Sequence, residues 1–176
     1  MKNFKKINDQ VFYTKSTITS ISHDEISFLK LNADKSVKKR IRICTHLNEK
    51  DNLQEMFVAL SKKTYIRPHR HHNKSESLHV IYGSADVIFF DDNGNINKII
   101  SLSKDSPNSF FYYRVDKPIY HTFVIKSDCF IFHETTQGPF KKIDTEYAPW
   151  SPKENDFGKI TKFVLELNES AKTFMD

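Results

Sequence analysis

The chain has 176 residues, enough for one domain with a full hydrophobic core, or one domain with a terminal extension. Lysine and arginine total 27 against 22 aspartate and glutamate, a net charge of +5, and aromatics reach 13% with 15 phenylalanines beside four glycines. This composition excludes collagen-like, low-complexity and disordered chains and suits a sheet protein with a phenylalanine-packed interior.

The opening Met1-Lys2-Asn3-Phe4-Lys5-Lys6 is not followed by an apolar stretch, and no segment is apolar enough for a membrane span. A cytoplasmic location is the expectation. Val11-Phe12-Tyr13 and Ile18-Thr19-Ser20-Ile21 suit an edge strand. Ser22 and Glu25 form a capping-box signature, and Ile26, Leu29, Ala33 and Val37 recur at helical spacing, predicting a helix over residues 23–38. From Arg40 the period becomes two. Strands are expected over 40–43, 54–60, 64–71, 76–82, 85–90, 96–102, 109–114, 121–125 and 129–134, with a hairpin turn at Asp91-Asp92-Asn93-Gly94. Short strands at regular spacing read as an antiparallel sandwich or barrel. After Trp150-Ser151-Pro152 comes a polar break, then Ile160 to Leu167, which fits a strand or a helix. The division expected is a segment with the helix (1–39), a β-domain (40–152) and an extension (153–176). Cys44 and Cys129 lie far apart in apolar contexts and read as buried reduced thiols.

The run from Arg67 to Glu76 carries the chemistry. His69 and His71, two apart on a strand, project to one face, and Glu76 returns to that face after a turn through Asn73-Lys74-Ser75. Two imidazoles and a carboxylate converging on one point suit a divalent transition metal. His72 and His79 have the opposite parity and are expected to face away.

With Gly83, this run matches the first motif of the cupin superfamily, H-x-H-x4-E-x6-G, departing only at the leading Gly, where Lys63 stands. His121, in Pro118-Ile119-Tyr120-His121-Thr122-Phe123-Val124, matches the histidine of the second motif, whose usual Pro, Gly and Asn are replaced by Asp116, Pro118 and Ile125. Further segments, among them Arg40-Ile41-Arg42-Ile43-Cys44-Thr45-His46, Phe111-Tyr112-Tyr113-Arg114 and Phe132-His133-Glu134-Thr135-Thr136-Gln137-Gly138-Pro139-Phe140, resemble the WbuC-type cupin-fold metalloproteins over about residues 22–152. The resemblance implies an all-β, double-stranded β-helix (the cupin jelly roll) preceded by a helix. It also implies a metal held by His69, His71, Glu76 and His121, and an association with surface-polysaccharide (O-antigen) biosynthesis. It implies no particular reaction.

Around that site, Arg67 shares parity with His69 and His71 if the strand runs straight through Pro68, and it would then orient a carboxylate or phosphate. Arg42, Arg114 and Tyr65 are further candidates to bind substrate. Only one of His133 and Glu134 can face inward, and the two are the acid–base candidates. Iron, zinc, manganese and nickel all suit such a ligand set. One expectation is a metal-dependent enzyme, an isomerase, epimerase or oxygenase, acting on a small anionic or sugar-derived molecule. The alternative is a non-catalytic metal- and sugar-binding module. No nucleic-acid-binding signature is present, so nucleic acid is not an expected partner, and a homodimer is expected because sheet edges need covering.

Overall fold

A computed structural model describes residues 1–175. In chain order the strands are β1 (Phe4–Lys6), β2 (Val11–Thr14), β3 (Arg40–Cys44), β4 (Leu53–Ser61), β5 (His69–His71), β6 (Glu76–Tyr82), β7 (Ser84–Phe90), β8 (Ile96–Ser103), β9 (Tyr112–Val115), β10 (Tyr120–Ile125), β11 (Cys129–Gln137) and β12 (Thr145–Tyr147). Helix α1 (His23–Ala33) precedes β3 and helix α2 (Phe157–Met175) is the last element of the described residues. The strands form two sheets, one ordered β1-β2-β3-β4-β11-β6-β9 and the other β12-β5-β10-β7-β8. The chain crosses repeatedly between the sheets, as a jelly roll does. Among the described residues every pairing of two strands is antiparallel except β2 with β3, and an isolated parallel bridge joins Leu102 of β8 to Phe110.

Between the sheets lies a core that includes Leu60, Val87, Phe89, Leu102, Phe130 and Phe132, with Phe132 stacked on Phe123 at 5.7 Å. Each sheet also carries a helix on its outer face. Leu29 and Ala33 of α1 pack on Ile41, Ile43 and Ile131 of the larger sheet. Leu167 and Ala171 of α2, with Phe163, pack on Ile88 and Phe90 of the smaller one and on Trp150 in the turn after β12. This double cover explains why β7 is buried at six consecutive positions instead of alternating. Its inward residues meet the other sheet and its outward residues meet α2. No helix among the described residues is long and apolar enough to cross a membrane.

Several expectations are corrected. Helix α1 stops at Ala33, not at residue 38. The Ser36 hydroxyl lies 3.0 Å from the Ala33 carbonyl, Lys39 takes a positive φ of 58°, and Val37, counted on the apolar stripe, is exposed. The expected strand over 64–71 survives only as β5, because Pro68 has no N–H to pair and holds its predecessor extended. The segment left open between strand and helix, 160–167, lies within α2. The hairpin turn forms as expected, with Gly94 at a φ of 91° and the Asp91 carboxylate accepting from the backbone of Asn93 and Asn95. Both cysteines are free and buried.

The capping box at α1 is complete. Ser22 Oγ accepts from Asp24 N at 3.2 Å, and Glu25 Oε2 accepts from Ser22 N at 3.1 Å. Ser22→Ala is expected to cost about 1 kcal/mol, read as a lower urea midpoint at unchanged slope. A loss within error would mean that packing of Leu29 and Ala33 alone holds the helix.

Candidate metal centre

Strand β5 is three residues long and carries two of the expected ligands on one face. Its neighbour β10 brings His121 directly opposite His69 in the ladder. Glu76 arrives from the other sheet as the first residue of β6, after a turn in which Asn73 takes the left-handed φ of 58° that asparagine tolerates. The ligand atoms of His69, His71 and His121 all lie within 4.8 Å of one another. The Glu76 carboxylate spans two of them, with Oε1 3.0 Å from His121 Nε2 and Oε2 3.4 Å from His71 Nε2.

The outer nitrogens explain why the rings point this way. Nδ1 of His69 lies 2.8 Å from the Arg67 carbonyl, and Nδ1 of His121 lies 3.0 Å from the Ile119 carbonyl. A carbonyl can only accept, so both rings carry their proton on Nδ1 when neutral and aim the Nε2 lone pair at the centre. Nδ1 of His71 meets Thr145 Oγ1 at 3.2 Å. Burial, helped by the neighbouring His121 and His71, pushes His69 down to about 3. Burial likewise lowers His71. Burial works against the charge of Glu76, but His121, His71 and His69 together outweigh it and hold the carboxyl at about 2. Burial opposes a charged His121 too, and the Glu76 carboxylate reverses this and raises its pKa. Imidazoles with Nε2 turned inward, an ionised carboxylate and outer hydrogen bonds are what a divalent transition metal requires, with the proton that Glu76 favours on His121 released on binding, so the residues fit such an ion.

This centre opens into a cavity of about 520 Å³ between the sheets. Its facing wall follows from strand register. Tyr13, Cys44, Met56, Glu134, Leu78 and Tyr113 are successive partners across β2, β3, β4, β11, β6 and β9. Glu134 therefore faces the cavity and its neighbour His133 does not. His133 lies outside, its ring 4.8 Å from that of Phe57 and its Nε2 3.7 Å from Glu55. Burial and the charge of Glu76 raise Glu134 to about 7, against the opposing pull of Arg42 and His121. Burial, Glu76 and Glu134 also push Tyr113 well above the ordinary tyrosine value.

The candidate binding residues divide. Arg42 lines the cavity. Arg67 borders it too, but the irregular chain at Pro68 turns the guanidinium toward the 148–151 turn. There Nε donates to Ser151 Oγ at 3.0 Å and Nη2 to the Ala148 carbonyl at 3.1 Å, and the group lies 4.9 Å over the Tyr147 ring. Arg114 is exposed beside Asp116 and lies away from the cavity. Tyr65 donates to the Pro152 carbonyl at 3.0 Å and packs edge-on against Phe163, so it anchors the start of the C-terminal segment and takes no part in the cavity. His72 and His79 face away as expected, His72 onto Glu146 and His79 onto Phe111. His46 borders the cavity, buried edge-on against Tyr13. Tyr13, Thr145 and Tyr147 also line the site and carry no motif of their own. Thr145 and Tyr147 arrive on β12, whose three residues are too few for a readable period.

Residues 21–102 match the family model described as a domain of unknown function (DUF6016). No curated protein matches the chain by sequence. Among solved structures, protein SO0799 from Shewanella oneidensis is 14% identical over 73% of this chain and 85% of its own, with a TM-score of 0.56. The capsular polysaccharide assembling protein CapF from Staphylococcus aureus is 19% identical over 56% of this chain and 27% of its own (TM-score 0.45). An oxalate decarboxylase from Bacillus subtilis is 19% identical over 55% of this chain and 24% of its own (TM-score 0.41). The chain thus spans only about a quarter of the length of the last two. The likeness to SO0799 is one of fold, and the two-sheet β-fold observed is consistent with the jelly roll that the resemblance implies.

Proposed function

We propose that this chain is a cupin-fold metalloprotein in which His69, His71, Glu76 and His121 hold one divalent transition ion. We propose further that it acts on a small anionic or sugar-derived molecule bound in the adjoining cavity. The observation that carries the reading is the cluster of His69, His71 and His121, whose ligand atoms lie within 4.8 Å of one another, with the Glu76 carboxylate against His121 and His71 and the outer nitrogens of His69 and His121 held on backbone carbonyls. A structural ion pair between Glu76 and His121 would not need two further rings beside it, His69 and His71, both held toward the neutral form.

When bound, the ion would supply Lewis-acid polarisation of a ligand oxygen. The chain's own residues supply the rest. Glu134, facing the centre across the cavity, holds a proton that it can release near neutral pH. Tyr113 stays a hydrogen-bond donor at any ordinary pH. Apolar neighbours such as Leu78, Phe123 and Phe132 limit water around the reacting groups. His133, outside, leaves Glu134 as the acid–base candidate. A role in surface-polysaccharide biosynthesis rests on the resemblance to WbuC-type cupins, and with it an isomerase or epimerase reaction on a sugar derivative.

Untagged protein purified without a nickel column is expected to carry about one equivalent of one transition metal by elemental mass spectrometry. A sugar phosphate at a hundredfold excess over its Kd would then add about 2.7 kcal/mol of stability, seen as a rise in Tm with the metal present and a smaller one after chelation. No uptake of iron, zinc, manganese or nickel on reconstitution would sink the metalloprotein reading.

A further inference from the structure

The cavity wall holds a second polar group that the metal centre does not use. Arg42 projects from β3 into the cavity, and its buried Nε meets no acceptor. Among the described residues its guanidinium forms no ion pair. The other cavity arginines are engaged: Arg40 with Glu154 at 3.0 Å, and Arg67 with Ser151 and Ala148. A buried guanidinium nitrogen without an acceptor is costly, and native proteins keep such groups where something else completes them.

The surroundings favour an anion as that partner. In the ladder Arg42 sits between Val11 and Val58, whose apolar side chains lower the local dielectric and strengthen any ion pair formed there. Two residues along β3 on the same face is Cys44, whose ladder partner is Tyr13. Burial keeps the Cys44 thiol protonated to about 11 and the Tyr13 hydroxyl to about 12, so neither competes as an anion, and the neutral thiol beside Arg42 is at most a weak acceptor for its guanidinium. Glu134 and Glu49 are the carboxyls whose charges reach this corner, and neither is hydrogen-bonded to Arg42. Glu134 stands in the same wall between this corner and the histidines. A volume of about 520 Å³ lies within the range of small-molecule sites.

We infer that Arg42 is an anion subsite, taking the single phosphate or carboxylate of a small ligand whose other end reaches the histidine–Glu76 centre. Only that second end rests on the metal-centre reading. The anion end stands on Arg42 alone.

The test uses the whole chain with metal removed by chelation and dialysis. Inorganic phosphate and propionate are titrated separately, following the Arg42 Nε–H resonance in ¹H–¹⁵N spectra and the heat of binding. At least one anion is expected to shift that resonance saturably. Arg42→Met is expected to weaken its binding by about tenfold or more, the value of a charged hydrogen bond. The anion that binds more tightly identifies the ligand's charged group. An unmoved Arg42 resonance, or equal affinity in Arg42→Met, overturns the subsite, the latter placing the anion on surface lysines. The spectral arm needs no variant, so a misfolded Arg42→Met does not decide the result. A failed metal reading would leave anion binding intact, and a failed subsite would leave metal content intact.

Discussion

Replacing His69 and His71 together with alanine is expected to lower metal affinity by more than about a hundredfold, so that the purified variant carries almost none. Losing a mere outer partner of a metal ligand costs 10- to 100-fold, and here two donors go at once. The fold is expected to persist. Ladder bonds from β5 to β10 and β12 use the backbone, and the side chains removed border an existing cavity. With His69 and His71 both shifted toward the neutral form, their loss strands no buried charge beyond the pair that Glu76 already makes with His121. Far-UV circular dichroism should therefore match wild type while elemental analysis does not. Thr145→Val is the graded companion: it removes the contact at His71 Nδ1 and should cost about 10- to 100-fold in affinity without removing a ligand. Full metal occupancy in the double-alanine variant would refute the centre.

The ligand run was legible because its information is local. Two residues of separation on a strand and one short turn bring His69, His71 and Glu76 to one point, whatever the rest of the chain does. His121 needed the second motif, since its position depends on β10 lying beside β5. Arg67 shows where local parity fails. Alternation predicts it beside the histidines only if the strand is continuous, and Pro68 breaks that strand. The choice between His133 and Glu134 was undecidable from two adjacent letters. Which of the two faces the cavity follows from the pairing of β11 with β4 and β6 in the seven-stranded sheet. The helix end was over-extended because Val37 fits the apolar period, yet nothing in the fold lies over it. Arg42 was a candidate by type alone. Its missing acceptor is a property of packing that no spacing encodes.

Glu134→Gln is expected to stabilise the metal-free protein at alkaline pH and to leave it unchanged at acid pH. Burial and Glu76 raise this carboxyl from its ordinary 4.5 to about 7 in the folded state, with Arg42 and His121 opposing. Between those values the folded protein keeps a proton that the unfolded chain has released. Stability is therefore fully present below about 4.5 and falls as pH rises through about 7. Full conversion of the shift gives about 3 kcal/mol. Solvent reaching the cavity trims this to about 1–3 kcal/mol in practice. Glutamine has nearly the same shape and does not titrate, so the difference between the two pH profiles reports Glu134 together with the neighbours whose charges it feels, chiefly Glu76. Urea unfolding at pH 5 and pH 8 should show the wild type losing that amount relative to the variant. Parallel profiles would mean that Glu134 is ionised at neutral pH, and the cavity would then lack its proposed proton donor. A metal at the histidines adds positive charge nearby and should move the midpoint to lower pH, so the same pair of proteins measured after reconstitution reports whether Glu134 senses the centre.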